Sequence, residues 1–213
     1  NAIENPAVNA QDCQSGPGCP NFAPIQRGGG VIAHIVDGGG WQTSFTLANF
    51  GNLTTRMELT FWGSDGRQMI LPTIIDGVGA LSGTHIFVDL KPAQSIVVRT
   101  AGTAETVSTG WAQVESSGNS TAHAVFRSQA PGRPDLEATV SMESPYNSWF
   151  VLTFDNRNGY ASGVAVANNW NTQANVIVQA WDENGTQVLT ELITLPAGGH
   201  TSFSLVDRFP PLP

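Results

Sequence analysis

The chain contains an internal repeat, in which Trp41–Met69 aligns without a gap with Tyr160–Val188, 119 residues later. Six of the 29 paired positions are identical, and most apolar positions match in kind. The identical pairs are Ala48/Ala167, Asn49/Asn168, Asn52/Asn171, Trp62/Trp181, Gly66/Gly185 and Gln68/Gln187. A repeat of this length indicates a duplicated structural unit. It constrains the architecture of the chain more than its chemistry.

The pattern of apolar residues predicts β-strands. Apolar and polar residues alternate in 57–61 and 176–180, which is typical of strands with one buried face. Asp65-Gly66 and Asn184-Gly185 come after these runs and are typical hairpin turns. No segment keeps the 3.6-residue period of a helix. We therefore predict an all-β fold of two related antiparallel β-sandwich units of the immunoglobulin-like (Ig-like) type.

Turn residues divide the chain into an arm and two units. Residues 1–30 hold four prolines and end in three glycines, which predicts an irregular N-terminal arm. The first unit is expected at 31–128 and the second, shorter unit at 129–213. Predicted strands of the first set are 31–36, 43–49, 55–62, 67–71, 84–89, 94–99, 107–115 and 121–127. Those of the second set are 136–141, 148–154, 162–168, 174–181, 186–194 and 200–205.

The two copies of the repeat are unequal. After Met69 the first copy carries about 15 extra residues around Asp76-Gly77, and the alignment resumes at Pro92/Pro196. The first copy then continues through a hairpin, Val107–Arg127, which has no counterpart in the second. Either the second unit is built from fewer strands, or another element supplies the missing ones.

The charge composition disfavours several kinds of partner. The chain has 17 acidic and 9 basic residues, a net charge of -8, and Lys91 as its single lysine. This charge disfavours nucleic acid and anionic membranes as partners. No apolar run reaches the roughly 18 residues that a membrane span needs. Few charges, many small polar residues and a start at Asn1 without a signal peptide lead us to expect a secreted, extracellular or cell-surface protein.

Cys13 and Cys19 are the only cysteines and lie close together in the arm. Gly16, Pro17 and Gly18 between them can reverse the chain, which favours a disulfide. Such a small loop would contribute roughly 2 kcal/mol. A redox pair would prefer Cys-x-x-Cys at the start of a helix, and a zinc site would need two further ligands.

Several short motifs resemble a group of secreted bacterial tandem β-sandwich repeat proteins. They are Asp37-Gly38-Gly39-Gly40-Trp41 with Thr43, Leu47-x-Asn49, Asp65-Gly66 after an aromatic strand, and Leu195-Pro196-Ala197-Gly198-Gly199-His200. The resemblance covers roughly 31–213. It implies an extracellular β-fold and transfers no catalytic residue.

The sequence selects no catalytic site, cofactor site or metal site. The histidines His34, His85, His123 and His200 do not form metal-binding spacings. No nucleophile-elbow serine, phosphate loop or dinucleotide fingerprint is present. A glycosidase dyad would need two carboxylates about 5–10 Å apart, which sequence alone does not provide. We therefore expect a protein that is not an enzyme, and we rank a hydrolase third among the functions.

Trp170 is the tryptophan with the clearest functional context. It lies in the polar run Asn168–Thr172, and its partner in the repeat is Gly51. With Asn169 and Asn171 beside it, the ring could stack on a sugar or contact a protein, or it could cap the end of the unit. Asn52, Asn119 and Asn184 begin N-glycosylation sequons in predicted turns.

The leading hypothesis is a non-enzymatic extracellular structural subunit that self-assembles with copies of itself as a filament, sheath or surface layer. Edge strands are usually protected by lysine, proline or bulges, and a chain with one lysine has little of this protection. Strand addition between subunits is the expected mechanism. The alternative is a carbohydrate-binding or adhesive module that uses Trp170 to bind glycans.

Overall fold

A computed structural model describes residues 28–129 and 135–210, and their regular structure is almost entirely β. Every strand pair in these ranges is antiparallel, which confirms the all-β prediction. Cys13 and Cys19, with most of the predicted arm, lie outside the described residues. Within them, no helix is long and apolar enough to cross a membrane.

The elements are numbered along the chain. The first ten are β1 (Gly28–Asp37), β2 (Trp41–Asn49), β3 (Thr55–Gly63), β4 (Leu71–Ile75), β5 (Gly79–Gly83), β6 (His85–Leu90), β7 (Ser95–Thr100), β8 (Ser108–Ser116), β9 (Ser120–Ser128) and β10 (Leu136–Ser141). The others are β11 (Gly163–Ala167), β12 (Ala174–Trp181), β13 (Gln187–Leu195), β14 (His200–Ser204) and the short helix α1 (Leu205–Arg208). We call 28–129 with 135–143 the first unit, and 144–210 the second unit.

Two sheets of the first unit share one apolar core. Their strand orders are β1-β8-β3-β6 and β10-β9-β2-β7-β4-β5. Alternation places one face of each strand inward, so that Met57, Leu59 and Phe61 of β3 meet Phe45 and Leu47 of β2 in one buried cluster. Full burial of each such side chain stabilises the fold by about 1.5–3 kcal/mol.

Strand β10 belongs to the first unit by its contacts. Leu136–Ser141 pairs with β9, and the N–H of Val31 donates to the carbonyl of Glu143 at 2.9 Å. The sequence pattern instead places this strand in the second set, within the unit expected at 129–213. Alternation predicts a strand at the correct place, but it does not show which sheet a strand joins.

The second unit is much smaller. Its strands form two separate pairs, β11 with β14 and β12 with β13. Its buried cluster consists of Ala180, Leu205 and Phe209, with Phe154, Val164, Leu189 and Phe203 packed against it. Both copies of the repeat keep their strands, because β11 corresponds to β2 and β12 corresponds to β3.

The two predicted hairpin turns lead into different structures. The turn at Asp182–Gly185 joins β12 to β13 in one hairpin. The turn at Gly63–Gly66 also reverses the chain, and Trp62 forms an isolated bridge with Gln68. The chain then crosses to the other sheet as β4, where the extra residues of the first copy form the β4–β5 hairpin.

Candidate functional site

Strand β12 has an edge that no described strand covers. It pairs with β13 on one side, whereas its counterpart β3 pairs with both β6 and β8. The 8 residues of β12 are all uncharged, and its one register shift falls at the end, between Ala180 and Trp181. A strand edge without charge, proline or a central bulge is a ready template for another strand. This edge is the first part of the candidate site.

The outer face of the β12–β13 hairpin exposes a pair of large apolar side chains. Ile177 and Leu192 are directly opposite each other in the ladder, and their side chains are 65% and 60% exposed. On the other face, Val176 and Val178 are half-buried and Ala180 is buried beside Leu205 and Phe209. The hairpin is therefore exposed both along its edge and on one face.

The segment before β11 exposes a run of large apolar side chains. Trp149, Phe150, Val151 and Leu152 are all exposed, Val151 by 72%. The sequence predicts a strand at 148–154, but the structure has none there. At the repeat offset this segment corresponds to β1, where Ile32 is fully buried and the strand pairs with β8. No described strand takes the place of β8 beside 148–154.

Trp62 and Trp181 show the same difference at a repeat-identical position. Trp62 of β3 is paired with Trp111 of β8, and the two rings stack with centroids 5.6 Å apart. Trp181 has no such partner in the described chain and is 48% exposed. Sequence alone leads one to expect that both tryptophans pack in or near a core. Neither ring belongs to an apolar cluster of the described residues, but Trp62 is half-buried because β8 supplies a ring that covers it.

The three residues predicted to contact a ligand lie in one exposed loop between β11 and β12. Trp170 is 54% exposed, and its carbonyl accepts a hydrogen bond from the N–H of Gly198 at 3.0 Å. The side-chain amide of Asn169 donates to the carbonyl of Pro145 at 2.8 Å. Asn171 is exposed beside them. The loop therefore holds the indole of Trp170 at the surface, close to the segment that precedes 148–154.

Asn168 holds this loop in place. It is buried, donates from Nδ2 to the carbonyls of Thr172 and Pro196 at 2.7 Å each, and accepts from the N–H of Trp170 at 3.2 Å. Sequence reasoning marked Asn168 only as an identical position of the repeat. That identity is the signal from which its structural role could have been inferred.

A pair of histidines joins the two units. His34 of β1 and His200 of β14 approach to 3.2 Å between Nδ1 and Nε2, and their rings are stacked. His200 Nδ1 lies 3.0 Å from Ser64 Oγ, which also contacts Thr109. Burial, and for His200 also the neighbouring His34, lowers the pKa of each imidazole from 6.5 to about 4. Both rings are therefore neutral near pH 7.

The Ser64–His200–His34 chain contains a hydroxyl beside an imidazole base, the arrangement that activates a serine nucleophile. Neither pocket found in the described chain is lined by these three residues. One is formed by 153–155 with 160–162 and the other lies around Gln42. Trp111 Nε1 donates to the carbonyl of Gly198 at 2.7 Å nearby, so this region is packed as a junction between the units.

Two acidic residues in the loops of the second unit, Asp155 and Asp182, have structural partners. Hydrogen bonds from Arg157 lower the pKa of Asp155, and hydrogen bonds led by the backbone N–H of Thr186 lower the pKa of Asp182. Asp182 thereby closes the β12–β13 turn. Among the described residues, no group of three or more His, Cys, Asp or Glu could hold a metal ion.

Comparison with known proteins gives no further assignment, because no protein-family model matches the chain and no curated protein or solved structure is significantly similar to it.

Proposed function

We propose that this chain is a non-enzymatic structural subunit, secreted or held at the cell surface, which assembles with copies of itself into a filament, sheath or layer. In this proposal both units are Ig-like antiparallel β-sandwiches, and the second is open where the first is closed. Subunits add strands to one another at the free edge of β12. The observation that carries the proposal is this uncharged edge, which no described strand covers.

Charge and exposure support the same proposal. The chain has a net charge of -8, but none of its charged residues lies on β12, so no side chain of this strand opposes the approach of a second strand by like charge. The second unit also exposes the apolar side chains of Ile177 on β12, Leu192 on β13 and 149–152. Groups of large exposed apolar side chains are typical of protein–protein interaction sites. A strand that joined this edge would satisfy backbone groups and cover apolar side chains together.

The first experiment measures assembly directly. The purified chain is concentrated and studied by size-exclusion chromatography with light scattering and by electron microscopy. We expect species larger than a monomer whose amount rises with concentration. A chain that stays strictly monomeric, soluble and folded at high concentration would contradict self-assembly.

Two matched variants locate the contact. Ile177→Lys places a charge on β12, and Leu192→Lys places the same charge directly opposite on β13. Both side chains are exposed, so both variants should fold. If strands add at β12, Ile177→Lys weakens assembly more than Leu192→Lys. Equal effects would indicate that the outer face of the hairpin, and not its edge, makes the contact.

A disulfide between Cys13 and Cys19 is part of the proposal, since an extracellular chain would allow it to form. Mass spectrometry of the secreted protein under non-reducing conditions tests it. Loss of two hydrogens in the peptide that contains both cysteines would support the disulfide, and two alkylatable thiols would contradict it.

A second candidate function is carbohydrate binding at Trp170. The observation that favours it is the exposed indole, held at the surface by a loop that buried Asn168 fixes. Aromatic rings in such positions offer an apolar face with polar groups around it. Binding on a glycan array that disappears in Trp170→Ala, while folding is unchanged, would support this function. No binding to any glycan would count against it.

A further inference from the structure

Strand β5 is a free edge of the six-stranded sheet in the first unit. It pairs with β4 on one side, and no described strand lies on its other side. Its residues from Gly79 to Ser82 are all exposed. The β4–β5 hairpin is formed by the extra residues of the first copy and has no counterpart in the second copy of the repeat. This edge is therefore a feature of the first unit alone.

The two sheets of the first unit have four edge strands in the described chain, and β5 is the one without an ionisable side chain. β1 carries His34 and Asp37, β6 carries His85 and Asp89, and β10 carries Glu137. Charged side chains, prolines and bulges protect an edge strand from pairing with another chain. The sequence of β5, Gly-Ala-Leu-Ser-Gly, has no charge and no proline, and its register with β4 has no shift. β5 therefore lacks these three kinds of protection.

The hydrogen bonds of β4 show which backbone groups of β5 are free. The carbonyl of Pro72 accepts a hydrogen bond at 2.9 Å from the chain just after β7, so this residue points toward β7. Because successive residues of a strand point their backbone groups to opposite sides, Thr73 points toward β5, where it is paired with Leu81. Leu81 therefore directs its N–H and carbonyl back to β4. Ala80 and Ser82, on either side of it, direct theirs toward the free edge.

Leu81 is the one large side chain of β5, and it lies on the core face of the sheet. It is directly opposite Thr73, which is only 1% exposed. Leu81 itself is 45% exposed, because no described strand follows β5 in this sheet. Ala80 and Ser82 point to the other face and are small. A strand that joined this edge would therefore cover one apolar side chain on the core face and meet only small side chains on the other.

The sequence of β5 is symmetric in size about Leu81. When two copies are placed antiparallel with Leu81 at the centre, Gly79 of each copy meets Gly83 of the other, and Ala80 meets Ser82. The two Ala80–Ser82 pairs then exchange two backbone hydrogen bonds each. The two Leu81 residues form a non-hydrogen-bonded pair, in which Cα atoms are only about 4.5 Å apart and the side chains are in contact. A two-fold contact between identical subunits requires this kind of self-complementarity.

The charges at the two ends of β5 are compatible with this arrangement. Asp76 precedes the strand and His85 follows it, and these are the nearest ionisable residues along the chain. The carboxylate of Asp76 accepts hydrogen bonds from the guanidinium of Arg99 at 2.5 and 3.1 Å. In an antiparallel pair the Asp76 end of one copy lies beside the His85 end of the other. Two acidic residues therefore do not meet at this edge, although each chain has a net charge of -8.

We propose that β5 pairs with β5 of a second copy of this chain in an antiparallel, two-fold symmetric contact, which joins their six-stranded sheets into one continuous sheet. This contact lies on the first unit and is separate from the edge of β12. It rests on the proposed self-assembly only in that the partner is a copy of the chain. A five-residue strand from each copy buries less surface than the roughly 1,200–2,000 Å² of stable interfaces. We therefore expect a weak dimer that forms at high concentration or within a larger assembly.

Cysteine cross-linking tests the two-fold axis. Leu81→Cys places the thiols of two copies opposite each other, where cross-strand Cβ atoms lie about 4.5–5.5 Å apart and small shifts allow a disulfide. Ile74→Cys is the matched control, because Ile74 is 41% exposed but lies on β4 and points to the opposite face. Both variants of the full chain are oxidised mildly at a series of protein concentrations. Mass spectrometry then identifies the cross-linked peptides.

We expect Leu81→Cys to give at least about ten-fold more covalent dimer, joined through position 81 of both copies, than Ile74→Cys gives through position 74. Equal yields, or no cross-link through position 81 at any concentration, would overturn the β5 contact. Slow amide exchange at Ala80 and Ser82 in a chain that forms no dimer would overturn it as well, because another part of the same chain would then cover β5.

A second pair of variants measures the contact without a cross-link. Leu81→Lys places two like charges opposite each other at the centre of the contact and should raise the dissociation constant of the dimer at least about ten-fold. Ile74→Lys adds the same charge one strand away and should change it less than about two-fold. Sedimentation velocity measures both. Equal changes in the two variants would contradict a contact at β5.

The outcomes separate this inference from the proposed function. If the chain forms large assemblies that neither cross-link through position 81 nor respond to Leu81→Lys, self-assembly stands and the β5 contact does not. If the chain stops at dimers that Leu81→Lys dissociates, the β5 contact stands and the filament, sheath or layer does not. Large assemblies that cross-link through position 81 and become smaller in Leu81→Lys support both.

Discussion

Asn49 and Asn168 are equivalent in the repeat and make equivalent hydrogen bonds. Each is buried and donates from Nδ2 to the carbonyl four residues later, that of Leu53 or Thr172. Each also donates to a carbonyl at the end of another strand, that of Leu90 at the end of β6 or that of Pro196 just after β13. The side-chain oxygen of each accepts a hydrogen bond from the N–H two residues later, that of Gly51 or Trp170. The side chain thus fixes the loop after the second strand of each copy.

Asn168→Ala should destabilise the second unit by about 2–3 kcal/mol, because it removes three hydrogen bonds made by a buried side chain. Denaturant unfolding and amide exchange at Trp170 measure the effect. Asn169→Ala is the control, since its exposed side chain makes one hydrogen bond and its loss should cost less than about 1 kcal/mol. Equal losses in the two variants would show that Asn168 does not fix the loop.

The repeat made much of the fold predictable. Alternating residues such as Met57–Phe61 and Val176–Ala180 face a core in both units, as the pattern predicts. β5 was missed because Gly79–Gly83 contains no β-branched or aromatic residue, and its pairing with β4 alone defines it. The strand predicted at 148–154 is absent because a strand needs a ladder partner, and none of the described strands provides one.

The candidate site was predictable only in part. The exposed loop position of Trp170 is expected from its polar neighbours, and the structure places it there. The contact between His34 and His200 was not predictable, because 166 residues separate them and no spacing motif links the two. The exposure of Trp181 was also missed, since it depends on the absence of a neighbouring ring, which a sequence pattern does not record.

The histidine pair predicts that stability falls in mild acid. Each folded-state pKa is lowered from 6.5 to about 4, so between these values the unfolded chain binds protons that the folded chain does not. The contribution of the two neutral histidines to the free energy of unfolding should be fully present above about pH 6.5. It should be lost as the pH falls toward 4, on the order of 3 kcal/mol per histidine. Denaturant unfolding at a series of pH values measures this slope.

A double variant tests whether the histidine pair causes this dependence of the unfolding free energy on pH. His34→Gln with His200→Gln should flatten the dependence of unfolding free energy on pH between 6.5 and 4, whatever its effect on stability at pH 7. His85→Gln is the control, because that side chain is exposed at the start of β6. An unchanged slope in the double variant would show that other groups cause the acid sensitivity.

The tryptophans of the repeat predict unequal effects of the same substitution. Trp62→Ala removes a ring stacked on Trp111 and should destabilise the chain by roughly 3 kcal/mol. Trp181→Ala removes a half-exposed ring and should cost less than about 1 kcal/mol. Thermal unfolding monitored by circular dichroism compares the two. A large loss for Trp181→Ala would mean that its ring is covered in solution.

Gly66 and Gly185 provide the last matched comparison, because both have positive φ angles, 81° and 76°, in the corresponding turn of each copy. Alanine at 185 would meet no atom within 4 Å, so that only backbone strain of about 1 kcal/mol is expected. A Cβ at 66 would lie 2.0 Å from the carbonyl oxygen of Ala197. This contact is between the units, next to the bridge of Asp65 with Gly199.

Gly66→Ala should therefore force the units apart at this turn and destabilise the chain by at least about 2 kcal/mol. Its distinguishing effect should appear at the junction, as faster amide exchange at His200, whose N–H donates to the carbonyl of Ser64 at 3.2 Å. Gly185→Ala should leave exchange at His200 unchanged. If the two variants lose the same stability and His200 is unaffected in both, the close contact between the turn and Ala197 does not hold the units together.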